Sequence, residues 1–158
     1  TTSLVSSVRR FSASESLQVG YYHKYYSLTV SANVFYNHSE SDRFATLNAF
    51  DFNYGVNYGM PLVWGIDFYT TLKMYSRRGY SDDKYNTDQF IVNFNLGKDI
   101  FKGKARLKFE VFDLLNKMSN YSYNINAQMQ QETYTNLLRR YAMVSLTYRF
   151  SQKKKHTK

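Results

Sequence analysis

The side chains able to do chemistry are few and scattered. The sequence holds three histidines, His23, His38 and His156, and no cysteine. The histidines lie far apart with no ligand spacing. Without thiols there is no zinc-thiolate set, no cysteine nucleophile and no disulfide framework. His38, Ser39 and Asp42 have the residue types of an acyl-transfer or hydrolytic centre, within the polar run His38-Ser39-Glu40-Ser41-Asp42-Arg43. Acid–base work needs such groups in mutual reach with matched pKa values, and three polar residues in a polar loop are what any loop offers. Tyr121-Ser122-Tyr123-Asn124 has rings to stack on a ligand such as a sugar and an amide to hydrogen-bond it. A solvated surface loop has the same composition. We expect no enzymatic activity, no cofactor and no metal.

The formal net charge is +9, which invites a nucleic-acid reading. Its distribution argues otherwise: four of the 21 basic residues sit in the tail Lys153-Lys154-Lys155-His156-Thr157-Lys158, and the others are scattered among acids. Residues 151–158 read as a solvated, basic periplasmic tail, since a block of like charge is commonly disordered, and no nucleic-acid partner is expected. Six charged residues share a different property. Asp51, Asp67, Lys73, Arg106, Lys108 and Glu110 each occupy the position opposite a bulky apolar face in an alternating segment.

The segments that place them are strands, because a side-chain period of two with one apolar face is the signature of a half-buried β-strand. The clear ones lie at about 14–23, 25–37, 46–60, 62–76, 89–98, 104–115 and 139–150. In the third, Phe50, Phe52, Tyr54, Val56, Tyr58 and Met60 alternate with Asp51, Asn53, Gly55, Asn57 and Gly59. In the fourth, Leu62, Trp64, Ile66, Phe68 and Leu72 alternate with Asp67, Tyr69, Thr71 and Lys73. In the last, Ala142, Val144, Leu146, Tyr148 and Phe150 alternate with Tyr141, Met143, Ser145, Thr147 and Arg149. Residues 1–13 read as loop or a poorly defined strand, and 117–136 as a long Asn/Gln/Tyr-rich loop with no sustained period.

Three features separate this pattern from a soluble β-sandwich. Several strands run about 12 to 15 residues, whereas globular strands average about 5–6 and a tilted strand crossing a bilayer needs about 9–11. Connections alternate between short (23–25, 60–62, 99–103) and long (38–45, 77–88, 117–136), as in outer-membrane barrels with short periplasmic turns and long outer loops. The charges keep to one face, with Lys98 and Arg140 breaking the pattern only at strand ends, where they can snorkel; Arg or Lys on the lipid side at mid-bilayer would cost roughly 2–4 kcal/mol. No run approaches the 18 or so apolar residues of a transmembrane helix. The mean hydropathy of −0.55 is compatible with membrane strands, whose two faces average out. A soluble ligand-binding barrel would place the apolar face inward. The aromatics near strand ends (Tyr21, Tyr26, Tyr58, Trp64, Tyr75, Tyr148) favour the membrane. The expected fold is all-β: an antiparallel, up-and-down transmembrane β-barrel segment of about seven strands over residues 1–150, with outer-membrane lipid against its apolar face and Asp51, Asp67, Lys73, Arg106, Lys108 and Glu110 facing its lumen.

Seven strands leave an odd count, and single-chain barrels with both ends in the periplasm have an even one. Promoting Leu4-Val5-Ser6-Ser7-Val8-Arg9-Arg10-Phe11 to a strand would give a complete small eight-stranded barrel with a structural or surface-binding role. That stretch has few apolar positions and two adjacent charges, so we expect instead the C-terminal part of a larger barrel. There is no signal peptide at Thr1: it was removed, or the chain starts partway through a longer one.

Three stretches carry a resemblance: Leu96-Gly97-Lys98-Asp99-Ile100-Phe101, Phe112-Asp113-Leu114-Leu115-Asn116-Lys117, and Arg140-Tyr141 through Tyr148-Arg149-Phe150. Over roughly residues 90–150, and more loosely back to about residue 14, the chain resembles Bacteroidetes-type outer-membrane barrel proteins related to TonB-dependent receptors. The resemblance implies a 22-stranded barrel in the bacterial outer membrane. It implies missing N-terminal strands, a plug, and coupling to the TonB energy system, with import of nutrients such as metal chelates, glycans or peptides. It further implies that Ala142, Val144, Leu146, Tyr148 and Phe150 form the signal read by the barrel-assembly machinery. This chain contains neither plug nor coupling box, and the extension Ser151–Lys158 departs from barrels that end on their Phe.

Overall fold

The alternation in the sequence carries over into strand pairing. The structure, a computed structural model, describes residues 7–42, 45–125 and 129–150. Its strands are β1 (Val8–His23), β2 (Tyr26–Ser41), β3 (Leu47–Pro61), β4 (Ile66–Arg78), β5 (Asp88–Ile100), β6 (Ala105–Phe112), β7 (Tyr121–Ile125), β8 (Gln130–Tyr134) and β9 (Tyr141–Tyr148). A seven-stranded antiparallel sheet runs in the order β1-β2-β3-β4-β5-β6-β9, and β7 and β8 form a separate hairpin. β1 and β9 lie at the two edges.

Register is what makes the two faces continuous. Val19 stands opposite Val30, Val30 opposite Val56, Val56 opposite Leu72 and Leu72 opposite Val92. Further along, Leu96 stands opposite Phe109 and Phe109 opposite Val144. Partners across a ladder share a face, so these residues make one apolar surface across the sheet. That surface is open: Val144 is 67% exposed and Leu146 63%. Most of the shielded side chains lie on the other face, including Asn37, Ser39, Leu47, Ala49 and Ile91. A soluble sandwich buries its apolar side and wets its polar one. Here the contiguous apolar surface is the outward one, which requires a covering of hydrocarbon or protein.

Several boundaries differ from the sequence expectation, each for a local reason. Val8–Phe11, expected as loop or as an eighth strand, is the start of β1, and His38–Ser41 of the expected loop belongs to β2. Val8 pairs with Ser41 and Phe11 with His38, so backbone hydrogen bonds hold this polar end where no hydrophobic period marks it. Arg10 and Ser12 both donate to Asn37 Oδ1, at 3.1 and 3.2 Å. Leu4–Ser6 and the tail 151–158 lie outside the described residues. The fourth strand begins at Ile66: Val63–Gly65 is a 3-10 turn closed by the Leu62 N–H donating to the Ile66 carbonyl at 2.6 Å. Trp64, expected on a strand face, sits at the tip of that turn with φ 60° and 81% exposed. The sixth strand ends at Phe112, because Asp113 takes a left-handed φ of 45°. The expected long loop 117–136 contains the β7–β8 hairpin.

The two-faced sheet predicts unequal tolerance of charge at adjacent positions. Val144→Arg, on the apolar face, should destabilise the folded barrel in lipid vesicles by roughly 2–4 kcal/mol. Met143→Arg, on the polar face opposite Glu110, should cost far less. Urea midpoints followed by heat-modifiable electrophoresis measure both, and equal losses would mean that the apolar face does not meet lipid.

Candidate functional site

The polar face gathers most of its ion-paired residues in two places. At the short-turn end, Arg106 on β6 donates to Asp67 on β4 at 2.7 Å and to Asp99 on β5 at 3.1 Å. Asp99 is directly opposite Arg106, but Asp67 is one strand further, opposite Gly97. The guanidinium reaches it by lying across Gly97, where a Cβ would stand 2.7 Å from Nη2. Glycine is what lets one cation bridge two strands. Beside it, Lys108 and Glu110 pair at 2.7 Å.

At the long-loop end, Asp51 on β3 is opposite Arg77 on β4. Arg77 Nε donates to Asp51 Oδ1 at 3.0 Å and its Nη2 donates to the Tyr80 hydroxyl at 2.7 Å. Tyr80 in turn donates to Asp51 at 3.0 Å. The loop holding Tyr80 is fixed by Asn86, which accepts from the Tyr80 N–H at 3.0 Å and donates to its carbonyl at 2.9 Å. Gly79 (φ 82°) begins that loop, against the Asn48 carbonyl, where a side chain could not fit. Burial pushes the Tyr80 phenol above its usual pKa, which favours the protonated form that donates to Asp51.

Tyr80 and Tyr85 pack on Leu47 and Ala49 in a small core, and Tyr123 and Ile125 of the hairpin pack against it. The Tyr85 and Tyr123 rings meet edge-on at 4.7 Å. The hairpin therefore folds back over the polar face instead of standing away from the sheet. Desolvation raises the Tyr123 phenol as well. Between hairpin and sheet lies a cleft of about 340 Å³, with Asp51 and Asn53 of β3, Tyr75 and Arg77 of β4, Gln89 of β5, and Tyr121 and Tyr123 of β7 among its lining.

Of the six charged residues expected on the polar face, Asp51, Asp67, Arg106, Lys108 and Glu110 enter ion pairs, and Lys73 lies on that face without one among the described residues. Arg77 and Asp99, placed in loops by the sequence reading, complete these pairs. Following the odd positions past Lys73 and Tyr75, and past Gly97, would have found them. His38 and Ser39 are consecutive on β2 and point to opposite faces. His38 contacts Asn48 and Glu40, at 2.6 and 3.2 Å, while the Ser39 hydroxyl is buried without a partner, so the His38–Ser39–Asp42 constellation is not assembled. His23 packs beside Tyr25 and Tyr26, and His156 is outside the described residues. Ala142, Val144, Leu146 and Tyr148 line the apolar face of β9. Phe150 follows the strand, with its ring 4.7 Å from that of Tyr148.

Asp113 is a residue whose role sequence reasoning missed. It is only 1% exposed. Its N–H donates to Asn93 Oδ1 at 2.8 Å, and its carboxylate accepts the Lys117 and Met118 N–H groups at 2.8 and 3.0 Å. The Asn116 N–H donates to its carbonyl at 2.8 Å. Phe112-Asp113-Leu114-Leu115-Asn116 is thus a self-capped turn that ends β6 and directs the chain toward the hairpin. Asp113→Ala removes the acceptor of two N–H groups and the tolerance for a left-handed backbone. It should destabilise the barrel by roughly 2–4 kcal/mol, and Asp113→Asn, which keeps one acceptor, by about half that. Urea unfolding in vesicles orders the three proteins, and an Ala variant as stable as the parent would remove the capping role.

A model of the outer membrane protein beta-barrel family matches residues 6–148, from before β1 through the end of β9. No curated protein and no solved structure matches the chain. An antiparallel up-and-down sheet, an exposed apolar face whose ion pairs (Arg78–Asp88 and His38–Glu40) sit only at its long-loop rim, and charge networks on the other face are what a strand-built membrane wall requires. With the match spanning every strand, the chain belongs to the outer membrane protein beta-barrel family, whose place is the outer membrane.

Proposed function

We propose that this chain is the C-terminal section of a larger barrel related to TonB-dependent receptors, forming part of the pore wall and outer loops for solute uptake in the bacterial outer membrane. The observation that carries the reading is the hairpin folded back over the polar face. An eight-stranded barrel has an interior just wide enough for side chains, whereas 22-stranded outer-membrane transporters enclose a plugged lumen. A two-stranded element with a cleft behind it needs the wider interior. The free edges of β1 and β9 offer the ladders to which further strands would add. On this reading those strands and the plug come from sequence outside this chain, and the TonB system supplies energy. Electron cryomicroscopy of the full-length protein should count about 22 strands around a filled lumen. A closed eight-stranded barrel would leave the chain a structural or surface-binding role.

The barrel-assembly machinery is the proposed partner of β9, through its free edge and its alternate apolar side chains. Tyr148→Ala with Phe150→Ala in the full-length protein should lower the amount of heat-modifiable barrel in the outer membrane. Deleting residues 152–158 should leave that amount nearly unchanged. The reverse result would place the assembly signal outside β9.

A further inference from the structure

The cleft behind the hairpin is chemically selective. Its two charged side chains, Asp51 and Arg77, neutralise each other at 3.0 Å, so an ionic ligand finds no unpaired counter-charge in the lining itself; Lys73 lies one row further along the sheet, opposite Gly55. A single carboxylate, already engaged, does not make a cation site. Below that pair, Asn53, Tyr75 and Gln89 form one row across β3, β4 and β5, with Asn53 opposite Tyr75 and Tyr75 opposite Gln89. Asn53 and Tyr75 have no side-chain partner among the described residues. Gln89 Oε1 accepts from the Ser119 N–H at 3.3 Å, so the group it offers to a ligand is its NH2. The opposite wall is Tyr121 and Tyr123, two residues apart on one face of β7, with rings within 7° of parallel and 6.3 Å apart.

Amide and phenol groups on one side and two near-parallel tyrosine rings on the other match a flat, uncharged molecule with hydroxyls at its rim and C–H groups on its faces. The negative face of an aromatic ring attracts such C–H groups, and amides both donate to and accept from hydroxyls. A peptide would look for an open strand edge or an apolar side-chain pocket, and this row, in the middle of the sheet, has neither.

We propose that this cleft binds a neutral saccharide, stacked on Tyr121 and Tyr123 and hydrogen-bonded by Asn53, Tyr75 and Gln89. The proposal rests on the reading above only in placing the cleft inside a wide lumen.

Calorimetry on the full-length protein in detergent micelles tests it, with linear hexamers of glucose, mannose, xylose and galactose as probes. Hexagalacturonate is the charged comparison and hexaglycine the peptide one. At least one neutral sugar should bind, and hexagalacturonate at least about tenfold more weakly, a gap of about 1.4 kcal/mol. Asn53→Ala and Tyr121→Ala should each weaken binding roughly five- to tenfold. Tyr22→Ala, at the short-turn end, should not change it. Asn53 packs into no core, so its variant should stay folded by heat-modifiable electrophoresis. Three results would each overturn the site: no binding by any neutral sugar, binding indifferent to both cleft variants, or preference for hexagalacturonate or hexaglycine. Strand count and binding are independent readouts. A 22-stranded barrel that binds no neutral sugar keeps the transporter reading and loses the site. A small barrel that binds through Asn53 and Tyr121 keeps the site and loses the transporter.

Discussion

Everything in this chain follows from a solvent that cannot hydrogen-bond. In hydrocarbon each backbone N–H and C=O must find a partner within the protein, so a strand can cross only as part of a ladder. Once the ladder exists, the period of two sends every second side chain to lipid. The unbroken register from Val19 through Val30, Val56 and Leu72 to Val92 is the expression of that requirement. A slip of one residue would exchange the faces of a whole strand and put Asp51 or Asp67 into hydrocarbon. Register in this chain is therefore constrained by the membrane as well as by pairing.

The polar face obeys a milder rule. Its ion pairs are partly open to water, and such pairs contribute about 0–1 kcal/mol each. Arg106 between Asp67 and Asp99, or Arg77 between Asp51 and Tyr80, does less for stability than for order: each fixes where a long cation lies and cancels its charge against neighbouring strands. Asp113 differs in kind. Its carboxylate is out of water and its two N–H donors are backbone, so removing it takes away the acceptor that both have in the folded turn.

The wall was legible in the sequence because burial in lipid is a strong, periodic signal that Phe50, Val56, Leu72, Val92 and Leu146 carry one by one. The charges expected on the opposite face fall there for the same reason. What escaped was structure held by the backbone or by single side chains. The polar start of β1 is a strand through its pairing with β2. Trp64 reads as a strand residue until the left-handed turn around Gly65 removes it from the ladder. β7 offers only Tyr121, Tyr123 and Ile125 as a period, and β8, Gln130-Gln131-Glu132-Thr133-Tyr134, offers almost none. The hairpin therefore looked like loop, and with it the cleft was invisible. Only the tyrosines that line it stood out, as chemistry without a place.

The hairpin also bears on the order in which the chain assembles. Every strand from β2 to β6 pairs with the one just before it, so those ladders can zip through connections far shorter than the one from β6 to β9. β9 instead returns to β6 across the whole stretch from Asp113 to Arg140. Bringing those ends together costs chain entropy that grows as the logarithm of the loop length, about 0.6 kcal/mol per doubling. When β7 and β8 pair first, with the Thr135 N–H donating to the Asn120 carbonyl at 2.8 Å, most of that stretch is already closed on itself. The remaining loop is Asp113–Ser119 and Asn136–Arg140, and the Asp113 turn shortens it further. A small hairpin of poor intrinsic stability thus lowers the entropic barrier to docking the final strand, and links the arrival of that strand to the covering of the polar face.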